Sequence, residues 1–200
     1  MKALLLIAAI WCSSSELRAQ TVARQPAESP EAFAKRMMPA QHKLAHPVLE
    51  VSTWGGNAKS IIALYGFDDP ADHNGGFNKI AGHLYLPTAP NQYRKISFGP
   101  LEENGGYPEI LAVFFANADD DADKELLVLC KIPQQHYDYA GAFYETYIFD
   151  NPGQTNELRY FRTLSNLFFG CECSRRDGTA QTAKYQTAAA VKAGLKKLGY

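Results

Sequence analysis

Turn-forming residues divide the middle of this chain into short segments, and that spacing constrains the fold more than any other feature of the sequence. Glycine, proline, asparagine and aspartate recur in clusters between Gly55 and Gly153, and such clusters are typical of tight turns. The segments between the clusters are rich in isoleucine, valine, tyrosine and phenylalanine, which favour strands. The predicted strands are residues 48–53, 60–67, 80–86, 94–98, 109–116, 126–132 and 142–149.

The loops between these strands are mostly short, and their length indicates how the strands pair. Parallel neighbours need a crossover of roughly a dozen residues or more, usually a helix. No helical segment separates the predicted strands, so antiparallel pairing between successive strands is favoured. We therefore predict an antiparallel β meander of about seven strands.

Helices are predicted at both ends of the sheet. Ser29 and Pro30 supply an N-cap and a first-turn proline for a short helix that ends near Met38. After Gly153, apolar residues recur at helical spacing and predict two C-terminal helices. The first contains Leu158, Phe161, Leu164 and Phe168, and the second contains Ala188, Val191, Leu195 and Leu198. The predicted fold class is α+β, with a single domain over residues 30–200.

The N-terminus has the layout of a secretory signal. A positively charged start precedes a short apolar run, and a polar stretch then leads to the small residue Ala19, after which cleavage is expected. We predict a signal peptide over residues 1–19, a flexible lead-in over residues 20–29, and a secreted or periplasmic protein. A lipoprotein anchored through Cys12 is the alternative, but Trp11 stands where lipoprotein signals have a small residue.

Charge and hydropathy narrow the classes of partner. The chain has 20 basic and 21 acidic side chains, a formal net charge of −1, which provides no basic excess for binding phosphates. No apolar run approaches the roughly 20 residues of a membrane-spanning helix. We therefore expect no nucleic-acid partner and no transmembrane segment. A protein or a small molecule is left as the ligand, and the oligomeric state is not indicated.

Cysteines Cys130, Cys171 and Cys173 remain after removal of residues 1–19, and an oxidising compartment favours a disulfide among them. A bridge between Cys171 and Cys173 would close a very tight ring. We therefore expect Cys130 to pair with one of the other two across a long loop. A metal or redox role for the Cys-Glu-Cys segment lacks a second ligand cluster at the usual spacing.

Oxygen-bearing side chains occur at every second position of the segment that joins two of the predicted strands, and they form a candidate metal site. They are Asn117, Asp119, Asp121, Asp123 and Glu125. Ca²⁺ takes roughly six to eight oxygen ligands, and a loop that curls around it directs alternate side chains inwards. We expect side-chain ligands at all of these positions except Asp123, which suits a backbone carbonyl.

Residues 112–129 resemble one unit of the FG-GAP or VCBS repeats of secreted and integrin-type β-propellers. The family pattern is a strand, then D-x-(D/N)-x-D-G-x-x-(D/E)-L, then a second strand. Asn117 stands in place of the first aspartate, and Ala122 stands in place of the glycine. The resemblance implies calcium as the cofactor of this loop and covers no other part of the chain. An EF-hand matches poorly, because it needs flanking helices and a glutamate where this chain has Val128.

Two alternatives compete with a calcium loop. The acidic stretch could be a solvated turn without an ion, and catalysis could reside elsewhere. Two carboxylates and an imidazole lie close together in the sequence at Asp69, Asp72 and His73. These are the groups that an acid/base or metal site uses. The residues around them are also ordinary turn formers. The chain lacks the nucleophile elbow, the P-loop and the HExxH motif that mark well-known enzyme classes.

We therefore predict an exported, non-catalytic binding or structural module with a calcium-stabilised hairpin loop. The alternative from another class is a secreted hydrolase that uses Asp69, Asp72 and His73. An aromatic group near the end of the sheet suggests either a binding face or cross-strand packing. Its members are Tyr137, Tyr139, Phe143, Tyr144 and Tyr147.

Overall fold

The computed structural model describes residues 20–54, 58–68, 79–101, 106–153 and 157–200, which form two antiparallel sheets and three helices. Sheet A contains β1 (Gln20–Ala23), β2 (Lys43–Leu44), β3 (Leu49–Val51), β4 (Ser60–Phe67), β5 (Lys79–Ala89) and β6 (Gln92–Leu101). Sheet B contains β7 (Glu109–Ala116), β8 (Glu125–Gln135), β9 (Tyr139–Phe149), β10 (Gly170–Arg175) and β11 (Ala180–Gln181). The helices are α1 (Pro30–Arg36), α2 (Arg162–Asn166) and α3 (Ala188–Leu198). The predicted α+β class is confirmed.

Successive strands lie side by side through most of the structure. The strand order is β1-β6-β5-β4-β2 in sheet A, where β3 also pairs with β4, and β11-β10-β9-β8-β7 in sheet B. All seven predicted strands are confirmed, as β3 to β9. The single meander is wrong in detail, because the described strands divide into two sheets that also include β1, β2, β10 and β11.

One apolar core joins the two sheets. Ile62, Leu84 and Ile96 from sheet A pack in the same buried cluster as Val128 and Tyr147 from sheet B. Successive side chains of a strand point to opposite faces, so these residues mark the inner face of each sheet. The sheets therefore form a sandwich around a common core.

Helices cover the outer faces of the sandwich. In α1, Phe33 is fully buried against Tyr65 of sheet A. In α3, Val191 and Leu195 are buried with Leu127 of sheet B, which confirms the predicted final helix. Across the described part of the chain, no helix has both the length and the apolar character needed to cross a membrane.

Two predictions about local structure are wrong. The apolar spacing from Leu158 to Phe168 predicts a helix, but only Arg162–Asn166 is helical. Leu158 packs in the core between the sheets, whereas Phe168 packs beside α3, so the spacing reflects two packing sites rather than one helix face. The segment predicted as a flexible lead-in also contributes Gln20–Ala23, which pairs with β6 as strand β1.

The predicted long disulfide is also wrong. Cys171 and Cys173 are bonded to each other in β10, and Cys130 of β8 is a buried free thiol. Strand β9 lies between β8 and β10, and two strand spacings amount to about 9.5 Å. That separation exceeds the roughly 7 Å between Cα atoms that a disulfide can bridge, whereas the Cα atoms of Cys171 and Cys173 are 5.3 Å apart.

Candidate functional site

The acidic loop connects β7 to β8 at one end of sheet B, and its side chains fold back on its own backbone. The side-chain oxygen of Asn117 accepts a hydrogen bond from the backbone N–H of Asp119 at 3.2 Å. Asp119 accepts in the same way from Asp121 at 3.0 Å, and Asp121 accepts from Asp123 at 2.7 Å. Asparagine and aspartate favour such turns because their short side chains reach the N–H two residues ahead. The repeat at every second residue explains why the loop curls into a compact hook.

Three carboxylates converge beside this hook. One oxygen from each of Asp119, Asp121 and Asp150 lies within 4.8 Å of the others. Opposite ligands of a calcium ion are separated by about twice the ligand distance, roughly 4.6–5.2 Å. The spacing therefore suits a cation between the three groups. Sequence reasoning finds Asp119 and Asp121 but misses Asp150, which follows β9.

The β8–β9 register brings Asp150 to the loop. Leu126 pairs with Phe149 in that ladder, so the next position places Asp150 opposite Glu125. Asp150 also forms an ion pair with Arg159, with a guanidinium nitrogen 2.8 Å from its Oδ2 atom. The guanidinium thus already neutralises part of the charge of the carboxylate cluster.

Glu125 is a buried acid in the same loop, although the group of converging carboxylates does not include it. Its side chain has 0% exposure, and one carboxylate oxygen accepts a hydrogen bond from the backbone N–H of Ala118. The other oxygen, Oε1, is buried without a partner among the described residues. Burial, together with the negative charges of Asp119 and Asp121, raises the pKa of Glu125 to about 7, against the lowering effect of the Ala118 N–H. An unpartnered buried carboxylate beside two other acids is a costly arrangement unless a cation or proton joins it.

The remaining predicted ligands lie at the edge of this group. Asn117 donates from its side-chain amide to the backbone carbonyl of Asp121 at 3.3 Å, which closes the hook. The carboxylate of Asp123 accepts a hydrogen bond from the side chain of Asn151 at 3.2 Å. This side chain is therefore engaged outside the Asp119, Asp121 and Asp150 group, and only its backbone carbonyl is left for the role predicted from the sequence.

The hook also touches sheet A. The indole N–H of Trp54, which follows β3, donates to the backbone carbonyl of Lys124 at 2.8 Å. The Trp54 ring meets Phe115 of β7 edge-on, with centroids 5.1 Å apart. On the other side, Arg94 of β6 donates to the backbone carbonyl of Gly153 at 2.9 Å. The acidic loop thus lies where the ends of both sheets meet.

The other candidate groups are the Asp69, Asp72 and His73 loop and the aromatic residues around the β8–β9 turn and β9. Asp69, Asp72 and His73 lie outside the described residues. Tyr144 and Tyr147 are buried, which agrees with the packing interpretation of the aromatic group. Tyr137 is 80% exposed at the β8–β9 turn, and Tyr139 stacks on His136 there with centroids 5.1 Å apart.

The arrangement suits a hard cation. Carboxylate, amide and carbonyl oxygens are the ligands that Ca²⁺ and Mg²⁺ take, and sulfur or imidazole ligands for softer metals are absent from the loop. Comparisons of the chain with protein-family models, with curated proteins and with solved structures find no match. Function therefore has to be inferred from the chemistry of the residues themselves.

Proposed function

We propose that this protein is an exported, non-catalytic binding or structural module in which Ca²⁺ holds the β7–β8 loop. The observation that carries the proposal is the buried, unpartnered Oε1 atom of Glu125 beside the carboxylates of Asp119 and Asp121. Without a counter-ion these charges repel one another at short range. A divalent cation bound between the acids turns that repulsion into attraction.

Calcium is favoured over other cations for two reasons. Residues 112–129 resemble the calcium loop of FG-GAP and VCBS repeats, and a chain exported from the cytoplasm meets millimolar calcium, which matches the Kd of about 0.1–1 mM of extracellular calcium modules. Ca²⁺ also tolerates irregular ligand sets, whereas Mg²⁺ demands near-ideal octahedral geometry. The flexible ligand requirement fits a loop in which Asn117 replaces an aspartate.

The position of the loop supports a structural role for the ion. Trp54 links the loop to sheet A, and Asp150 links it to the end of β9. A bound ion would therefore fix the β7–β8 hairpin together with the adjoining ends of β9 and sheet A. Stabilisation by a ligand follows from its preference for the folded state over the unfolded one.

Thermal unfolding tests the proposal directly. At ten times its Kd, Ca²⁺ should raise the free energy of unfolding by about 1.4 kcal/mol, which corresponds to roughly 3–6 °C in Tm. Comparison of unfolding in EDTA and in about 10 mM Ca²⁺ covers the expected range of Kd. Asp119→Asn and Asp121→Asn should abolish the rise. Asp120→Asn is the matched control, because Asp120 lies in the same loop but outside the group of converging carboxylates.

The outcomes separate a metal site from a solvated turn. If the wild-type protein unfolds at the same temperature in EDTA and in Ca²⁺, the loop binds no ion. A rise that Asp120→Asn removes as fully as Asp121→Asn does would indicate diffuse screening of acidic charge instead of a site.

Mass spectrometry of protein expressed with its natural N-terminus tests export, and a retained Met1 in exported material would contradict it.

A further inference from the structure

A cavity of about 510 Å³ opens beside the acidic loop, within the roughly 300–1,000 Å³ of small-molecule sites. Four parts of the fold build it: the turn after β3, the β5–β6 hairpin, the β7–β8 loop, and the chain that leaves β9. The residues that matter for ligand chemistry are Trp54, Pro87, Arg94, Asp123, Asn151 and Pro152. We propose that this cavity binds a saccharide.

The polar groups of the cavity are held in fixed positions before any ligand arrives. Arg94 donates a hydrogen bond to the carbonyl of Gly153. The side-chain amide of Asn151 donates to Asp123, and the Oδ1 atom of Asn151 accepts from the N–H of Gly153 at 3.0 Å. Groups that are already ordered lose little conformational freedom when a ligand binds. A cleft with such preorganised polar groups is therefore suited to recognition.

The charges of these groups select a neutral polar ligand. Arg94 supplies donors only, Asp123 supplies acceptors only, and the amide of Asn151 supplies both. The two formal charges cancel, so neither an anion nor a cation finds a net opposite charge in the cavity. A hydroxyl group donates and accepts at once, and a ligand with several hydroxyls on a rigid ring can satisfy donors and acceptors that lie side by side.

The apolar part of the lining fits the other side of a sugar ring. Trp54 and the two prolines, Pro87 and Pro152, line the same cavity as the charged groups. The Trp54 ring is oriented by its hydrogen bond to Lys124 and by its contact with Phe115. Aromatic rings offer large apolar surfaces at low entropic cost, and the C–H face of a pyranose packs on such surfaces.

Tryptophan fluorescence gives a direct readout. The chain has two tryptophans, Trp11 and Trp54, so Trp54 is the sole tryptophan in a full-length Trp11→Phe variant. The probes are glucose, galactose, mannose, N-acetylglucosamine, maltose, cellobiose and lactose, titrated in Ca²⁺ and again in EDTA. At least one should give a saturable change in Trp54 emission, whereas glycerol, which has hydroxyls but no ring, should give none.

Variants identify where the sugar binds. Arg94→Gln and Asp123→Asn should each weaken binding about tenfold or more, because each removes a hydrogen bond to a charged group. Arg176→Gln is the matched control, because Arg176 is exposed and lies outside the cavity. Circular dichroism of each variant establishes that it folds.

The results either support or overturn the proposal. A saturable response that the two cavity variants weaken and Arg176→Gln does not would support it. The absence of a saturable response to every sugar, an equal response to glycerol, or equal affinity in all variants would overturn it. This inference does not depend on the calcium proposal. A calcium-dependent rise in Tm without sugar binding defeats only the saccharide site, and sugar binding without that rise defeats only the calcium loop.

Discussion

Glu125 accepts a hydrogen bond from the backbone N–H of Ala118 across the acidic loop, so the residue that begins β8 holds the residue that follows β7 by two positions. The second carboxylate oxygen of Glu125 is buried and has no partner among the described residues. One oxygen therefore closes the loop, and the calcium proposal assigns the other to the ion. These two roles respond differently to the same substitution.

Glu125→Gln should separate the role of Glu125 as a hydrogen-bond acceptor from its proposed role as a cation ligand. The glutamine oxygen can still accept from Ala118, but the buried negative charge beside Asp119 and Asp121 is gone. In EDTA near neutral pH we expect the free energy of unfolding to rise by about 1 kcal/mol. In Ca²⁺ we expect the stabilisation by the ion to be lost. Glu172→Gln, which changes an exposed acid in β10, should leave the calcium response intact, and a full response in Glu125→Gln would show that Glu125 is not a ligand.

Arg159 should compete with the ion for Asp150. Its guanidinium nitrogens lie 2.8 and 3.0 Å from Asp150 Oδ2, and its side chain is 69% exposed, so the pair itself contributes little stability. Arg159→Gln should therefore lower the Kd for Ca²⁺ about threefold to tenfold, while Asp150→Asn should raise it by at least as much. Isothermal titration calorimetry measures both changes. Unchanged affinity in both variants would remove Asp150 from the site.

The contrast between Asp150 and the loop acids illustrates what the sequence can reveal. Asp119 and Asp121 are predictable because their spacing within one loop is a local pattern. Asp150 lies 29 residues beyond Asp121 and reaches the site only through the β8–β9 register, in which Leu126 pairs with Phe149. A register is fixed by packing between strands, and a single sequence does not display it. The same limit applies to Trp54 and Arg94, which come from the other sheet.

The strands show the same contrast between features that local sequence reveals and features that depend on pairing with other strands. Residues 60–67 and 109–116 are predicted with the observed bounds, because apolar and β-branched residues fill them and turn formers end them. Gly170–Arg175 carries glycine, two cysteines and three polar residues, so its strand character comes from pairing with β9. Local composition identifies strands rich in apolar residues, whereas a mostly polar strand such as β10 depends on pairing with its neighbours.

Burial of the His83 imidazole should contribute a loss of stability in mild acid. It is 5% exposed on β5, its ring meets Tyr65 edge-on at 5.0 Å, and its Nδ1 atom lies 3.2 Å from the Tyr85 hydroxyl. Burial, together with the positive charges of Lys95 and His42, lowers the pKa of His83 to about 4. The pKa of histidine in the unfolded chain is about 6.5, so between about pH 6.5 and pH 4 the unfolded chain binds a proton at His83 and the folded chain does not.

The sign of the effect follows from this difference in proton uptake. The contribution of His83 is constant above about pH 6.5, and it falls as the pH drops from about 6.5 to about 4, at a rate that approaches 1.4 kcal/mol per pH unit. Urea unfolding at several pH values measures the slope, and the wild type is compared with His83→Gln because the raised pKa of Glu125 contributes a slope of the opposite sign in both proteins. Relative to the wild type, His83→Gln should lack the loss of stability that His83 causes towards low pH, whereas His46→Gln, which removes a more exposed imidazole, should retain it. Equal slopes in wild type and His83→Gln would mean that His83 is protonated in the fold.

The cysteines give a prediction that distinguishes the observed pairing from the one expected from the sequence. Cys130 is fully buried on β8, and burial raises the pKa of its thiol, so it should resist alkylation in the native protein because the thiolate is the reactive form. In a Cys12→Ser variant of oxidised protein, maleimide should label no thiol under native conditions and Cys130 alone after denaturation. Non-reducing peptide mapping should place Cys171 and Cys173 in one internally bonded peptide. Cys130→Ala in the same Cys12→Ser background is the control and should take up no label in either state. Recovery of a peptide that joins Cys130 to β10 would contradict the observed pairing.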